Sequence, residues 1–102
     1  MTTPEGAVKK QVKAILQNVK AYYTMPVTGG FGNAGVPDFV VCYRGRFIGI
    51  ETKAGENLLT ALQMKHLEDI ERAGGISLVI NETNVSNLTQ ILEVIDHADE
   101  TP

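Results

Sequence analysis

The sequence predicts a mixed α/β domain, a β-sheet flanked by helices, from three observations. Apolar residues repeat at helical spacing in three stretches; short runs rich in β-branched and aromatic residues lie between them; glycine, proline and asparagine mark the boundaries. A chain of 102 residues suits one domain, whose core removes roughly two-thirds of the unfolded chain's surface from water. Hydrophobic residues at 43% and charged residues at 21% fit a globular chain and argue against a disordered one.

Thr3, Pro4 and Glu5 read as an N-cap, a proline at the first helical position and an acid in the first turn. Val8, Val12, Ile15 and Val19 then recur at helical spacing, with Lys9, Lys10, Lys13, Gln17 and Lys20 on other faces. Residues 4 to about 22 are therefore expected as an amphipathic helix with a basic outer side. Residues 22–27 suggest a short strand, which Pro26 restricts to an edge or an end. The next segment, TGGFGNAG, holds a literal G-x-G-x-x-G at Gly30, Gly32 and Gly35. A dinucleotide-binding turn would need the last glycine to open a helix. Here Val36 and Pro37 lead into an apolar run, and Pro37 pushes Val36 towards extended backbone. The loop is read as a lead-in to a strand, with no free nucleotide cofactor.

FVVCY (39–43) and FIGIETK (47–53) are strand-like runs around Arg44, Gly45 and Arg46, a hairpin signal. Thr60 with Gln63 three residues later opens a second helix as a capping box, and Gly74-Gly75 ends it. ISLVI (76–80) has the composition of a buried strand. Asn84 is placed to cap a third helix, with Val85, Leu88, Ile91, Leu92 and Ile95 facing inward. The path from 47–53 through the second helix to 76–80 implies a right-handed parallel crossover. Residues 1–102 form one domain, with 98–102 expected to fray, and there is no internal repeat or linker.

Side chains alternate along a strand, so Glu51 and Lys53 share a face. A two-residue turn at Arg44-Gly45 sets Asp38 opposite Glu51; a turn at Gly45-Arg46 sets it opposite Lys53. Either register gathers all three on one face, whereas a three-residue turn or a bulge separates them. Adjacent carboxylates repel, and one takes up a proton unless a divalent cation removes the penalty. Oxygen ligands favour Mg²⁺ or Mn²⁺ over zinc. Such a cation polarises a phosphoryl oxygen and lowers the pKa of a bound water, while the Lys53 ammonium orients that water or stabilises charge on phosphorus. As a plain surface ion pair the trio fits poorly, because Lys53 compensates only one of two acids.

Pro37-Asp38, twelve intervening residues and then Glu51-Thr52-Lys53 resemble the PD-(D/E)XK nuclease signature. The Gly35-Val36-Pro37-Asp38 opening, the helix with Gln63 and the first-helix Glu5 narrow the resemblance to the VRR-NUC (virus-type replication-repair nuclease) branch over about residues 5–80. The resemblance implies a restriction-endonuclease-like fold and a metal-dependent DNA endonuclease. It implies Asp38, Glu51 and the Thr52 backbone carbonyl as metal ligands, Lys53 as catalytic, and supporting roles for Gln63 and Glu5, the latter directly or through a water. Small stand-alone members of the branch come from phages and viruses, and the resemblance implies a homodimer acting on branched DNA such as four-way (Holliday) junctions.

Some of these residues also have ordinary explanations. Glu5 complements the helix dipole where it stands, although its spacing with Val8 and Val12 also turns it inward over the sheet. Gln63 is either the capping partner of Thr60 or, from its spacing with Leu67 and Ile70, a packed residue reaching the site. His66 has no second His or Cys beside it and reads as a half-buried surface residue; Cys42 reads as a small core residue. A single cysteine excludes an internal disulfide and fits a reducing compartment. The opening MTTPEGAVKK lacks a signal-peptide core and no run is long enough for a membrane span, so a cytoplasmic protein without a membrane partner is expected.

Net charge is −3, but it is unevenly distributed. Residues 1–80 carry all nine lysines and arginines against seven acids; residues 81–102 carry five acids and no base. With Glu5, Asp38 and Glu51 neutralised by metal, nine positive charges face four negative ones in the first part, enough for a phosphate backbone. Lys9, Lys10, Lys13, Arg44 and Arg46 are the candidate phosphate contacts. A second class, a non-catalytic DNA-binding subunit of a replication or recombination complex, has no use for two adjacent acids near phosphates.

Overall fold

The computed structural model describes residues 3–27 and 34–97. Helix α1 (Pro4–Asn18) leads to the short strand β1 (Tyr22–Thr24), then to strands β2 (Phe39–Tyr43) and β3 (Arg46–Thr52). Helix α2 (Ala61–Arg72), strand β4 (Ile76–Ile80), a 3-10 turn (Val85–Asn87) and helix α3 (Leu88–His97) complete it. The four strands form one sheet in the order β1-β2-β3-β4; the first two pairings are antiparallel and β3 to β4 is parallel. This is the mixed sheet flanked by helices expected from the sequence. Gly30 and Gly32 of the glycine loop, and the tail expected to fray, lie outside the described residues. Among the described residues no helix is long and apolar enough to cross a membrane.

Alternation along the strands divides the sheet into two faces. Phe39, Val41 and Tyr43 of β2, Ile48 and Ile50 of β3 and Ile80 of β4 pack against Val8, Val12 and Leu16 of α1 and Leu88, Leu92 and Ile95 of α3. That is the main core. The other face is covered by α2, whose Ile70 lies over Gly49 so closely that a Cβ there would come within 2.6 Å of Ile70 Cδ1 and 3.2 Å of Pro37. Glycine at 49 thus lets the helix settle onto the sheet two residues from Glu51. The strand 76–80, expected to be buried, runs along the sheet edge, and only Ile80 in it is fully buried.

The hairpin closes through Arg44 and Gly45, with Tyr43 paired to Arg46 and Phe39 to Ile50. Both turn residues have positive φ, 52° and 78°, the geometry that matches strand twist. Helix α1 stops at Asn18, four residues before the expected limit. The Ala21 N–H bonds to the Leu16 carbonyl and the Lys20 N–H to that of Gln17, a Schellman closure with Lys20 in the left-handed region at φ 61°. Asn84 precedes the last helical segment without capping it: its Oδ1 accepts from the Asn81 N–H and its Nδ2 donates to the Val79 carbonyl. Asn81 instead organises the turn, its Oδ1 accepting from Thr83 and from the Asn84 N–H.

Candidate active site

The Arg44-Gly45 turn selects the register that continues to Asp38 opposite Glu51, at the open end of the hairpin. Asp38 stands one residue before β2, and its carboxylate takes the place of a further ladder bond. Oδ2 accepts both donors of Thr52, the backbone N–H at 2.9 Å and the hydroxyl at 2.5 Å. The remaining oxygen, Oδ1, has the Lys9 ammonium 3.6 Å away. Burial pushes the Asp38 carboxyl up, but the two Thr52 bonds, Glu51 and Lys9 outweigh it and hold the pKa below the usual range.

Glu51, on β3, is 3% exposed. Its Oε1 accepts from the Gln63 side-chain amide at 3.3 Å, while Oε2 is buried without any donor. Burial, then Asp38 within hydrogen-bonding reach, then Glu5, push this carboxyl up to about 8 against the opposing charge of Lys53. Asp38 is an acceptor, so the two carboxyls bond only with a cation between them, a proton or a metal ion. A buried acid oxygen with nothing to bind is costly, and this one fits a divalent cation's need for an anionic oxygen.

The two readings of Gln63 are both realised. Its Oε1 accepts from the Thr60 N–H at 2.9 Å and its backbone N–H donates to the Thr60 hydroxyl at 3.1 Å, which closes the capping box. The Thr60 N–H can only donate, so it must face the amide oxygen, and the amide nitrogen is left pointing at Glu51. A turn of backbone at Gly35 (φ 84°) rests against this helix end, where a Cβ would lie 2.7 Å from the Leu62 carbonyl carbon. Lys53 follows β3, its N–H bonded to the Ile80 carbonyl at 2.9 Å, and Glu82 anchors the next turn by accepting from the Gly55 N–H at 2.9 Å.

Glu5 is half-buried and joins the site through Lys9, whose Nζ is 3.6 Å from Glu5 Oε2. Among the described residues no three His, Cys, Asp or Glu side chains converge as a preformed metal cage. The ordered donors are the Asp38 and Glu51 pair, with Glu5 beyond them. Lys9, expected on the outer side of α1, instead reaches the site, its Nζ 3.6 Å from Asp38 Oδ1. Two contributions escaped the sequence reading: the position of Lys9, whose only signal was its i, i+4 spacing from Glu5, and the Thr52 hydroxyl. A threonine between Glu51 and Lys53 must point away from them, and here it is fully buried and holds Asp38.

The other expected contacts separate. Lys10 and Lys13 are exposed on α1. Arg44 in the hairpin turn and Arg46 just after it lie about 20 Å from the site by strand rise. Arg44 lies 3.2 Å from Asp96 of α3 and over the Tyr43 ring, so it is placed by α3 rather than beside the acids. Cys42 is exposed, contrary to the core position expected for it: its cross-strand partners Tyr22 and Phe47 are exposed too, so that part of the sheet face is open. His66 lines a shallow groove with Phe47, Asp69 and Ile70, away from the carboxylates.

A four-stranded mixed sheet with helices on both faces defines a class of fold, and solved structures share that architecture. A VRR_NUC domain superposes with a TM-score of 0.68 over 94% of this chain and 98% of its own, at 21% identity. A VRR_NUC domain protein superposes at 0.67 over 91% of this chain and 88% of its own, at 18% identity. No family model and no curated protein matches the chain. The chain therefore has the VRR_NUC fold, and the resemblance drawn from Pro37-Asp38 and Glu51-Thr52-Lys53 holds at that level.

Proposed function

We propose that this chain is an endodeoxyribonuclease that hydrolyses phosphodiester bonds with Mg²⁺ or Mn²⁺. The observation that supports this most is the donor-less, buried Oε2 of Glu51 beside Asp38, in a chain with the VRR_NUC fold. Asp38, Glu51 and the Thr52 carbonyl would hold the cation, with Glu5 contributing through a water. When bound, the cation polarises a phosphoryl oxygen and lowers the pKa of its water. Gln63 keeps the Glu51 carboxylate aimed, and Thr52 does the same for Asp38. Lys53 offers its ammonium to the charge that develops on the phosphoryl oxygens. Lys10 and Lys13 supply sequence-independent phosphate attraction. The substrate in this reading is branched DNA such as a four-way junction in the cytoplasm. Paired incision then requires a homodimer, because one site cuts one strand.

The test is cleavage of end-labelled four-way junction, linear duplex and single strand with each metal, alongside Glu51→Ala. Metal-dependent cutting of the junction, absent in the variant, is expected. Tight DNA binding without cutting under either metal would replace this reading with the non-catalytic DNA-binding subunit. Light scattering of the DNA-bound protein checks the dimer, and a monomer there removes paired incision.

A further inference from the structure

The two oxygens of Asp38 are not equivalent. Oδ2 is saturated by the two donors of Thr52, so Oδ1 is the oxygen left for a cation. Lys9 already approaches it at 3.6 Å, and the same ammonium lies 3.6 Å from Glu5 Oε2. Both separations exceed the usual N–H···O length of 2.7–3.2 Å. The ammonium is therefore held by charge between the two carboxylates rather than by locked hydrogen bonds. Side-chain exposures of 34% for Lys9, 35% for Glu5 and 21% for Asp38 leave it an open path to water.

We propose that Lys9 is a resident counter-cation of this site, competing with the divalent metal for Asp38 Oδ1 and withdrawing when the metal binds. The inference rests on the reading of Asp38 and Glu51 as metal ligands. Without metal, Lys9 offsets the repulsion between Glu5 and Asp38 and ties α1 to the residue that precedes β2. A divalent ion needs the same oxygen at about 2.1 Å, a position that puts it against the ammonium. The long flexible stem lets Lys9 leave without moving the helix. Lys9 is thus a positioning residue: it sets the threshold for metal occupancy and is not asked to touch the reacting atoms.

The experiment is Mn²⁺ binding to the DNA-free protein, read from the free Mn²⁺ signal in electron paramagnetic resonance, for wild type, Lys9→Met and Lys13→Met. Methionine keeps the apolar stem and removes the charge, and circular dichroism confirms that each variant folds. Lys9→Met is expected to bind Mn²⁺ roughly three- to tenfold more tightly than wild type. Lys13→Met, which changes net charge equally from an exposed position, is expected to match wild type. Wild-type or weaker affinity in Lys9→Met overturns the competition, as does equal tightening in Lys13→Met, which would reduce the effect to overall charge. If neither wild type nor Lys9→Met binds Mn²⁺, the metal-site reading itself fails and this inference falls with it.

Discussion

The two ends of the β2–β3 hairpin hold their costs in different forms. At the turn end the cost lies in the backbone. Lys20 and Arg44 both occupy the left-handed region, at φ 61° and 52°, where a side chain is strained. The charges there are simply settled, with a 64% exposed Arg44 against Asp96. At the open end positive φ falls on glycines, and the cost lies in the charges: Asp38 and Glu51 repel each other, and one of Glu51's oxygens is left without a partner. Backbone strain in a turn is a fixed cost of shape. An uncompensated carboxylate is relieved by whatever cation arrives, so the second kind of cost carries a function.

The sharpest way to break this contrast is to remove the open-end acid. Glu51→Ala should lower cleavage by at least about a thousandfold, while the metal-free protein melts no lower than wild type at pH 8, because a costly buried group has gone. Loss of both activity and stability would mean that Glu51 is structural.

The next largest effect is on pH dependence. Glu51 titrates near 8 in the folded chain and near its ordinary 4.5 when unfolded, so between those values the folded state holds the extra proton. Stability of the metal-free protein should therefore fall as pH rises from about 4.5 to about 8 and stay reduced above, by on the order of a few kcal/mol. Asp38 runs the other way: its lowered pKa adds stability above the ordinary carboxylate range that is lost on acidification. Urea denaturation at pH 5.5 and 8.5, with chelator and then with Mg²⁺, checks both the fall and its recovery. A flat metal-free profile would show that Glu51 is not under strain.

Gln63→Glu separates two roles of one side chain. Glutamate completes a capping box as well as glutamine does, so α2 should keep its stability to within about 1 kcal/mol. The donor to Glu51 is replaced by a third carboxylate, and cleavage should fall roughly tenfold or more. A large stability loss with intact specific activity would assign Gln63 to the cap alone.

The turn end should respond weakly and in the opposite sense. Lys20→Gly is expected to stabilise by roughly 0.5–1 kcal/mol, since glycine occupies that closing position without strain. Arg44→Asn gives the turn a residue that tolerates left-handed backbone and removes an exposed ion pair. It should melt close to wild type, and compare more favourably in high salt, where the pair is screened. Neither should alter cleavage, and thermal melts with the junction assay decide this.

The same contrast explains what was legible in the sequence. The second helix announces its end with Gly74-Gly75, and the chain closes there with the Gly75 N–H on Ile70 and the Gly74 N–H on Glu71. The first helix closes with the same two bonds around Lys20, and no residue type signals it, so the helix was expected to run to about 22. The hairpin register was open between two turns until Arg44 was found in the left-handed region, a placement that composition disfavours for arginine. The grouping of Asp38 with Glu51 followed from strand periodicity in either register. Periodicity could not reveal which carboxylate is buried, because that depends on α2 settling over Gly49. Nor could it place Lys9, whose approach to Asp38 depends on how α1 packs against the sheet. Cys42 and strand 76–80 are more exposed than their composition suggests for a related reason: apolar composition marks a strand, but its place in the sheet decides how much of it is covered.

The seating of α2 on Gly49 also has a consequence for motion. Gln63, which bonds Glu51, and Ile70, which lies over Gly49, belong to a crossover whose contacts with β3 are distant in sequence, whereas the β2–β3 hairpin is local. Lifting α2 rehydrates Glu51 and lets it ionise freely, so in metal-free protein alkaline pH favours this local opening. Amide exchange in residues 61–72 should then quicken with pH beyond its intrinsic rate and slow again when a divalent cation is added. The helix would act as a lid whose closure is governed by the occupancy of the site beneath it.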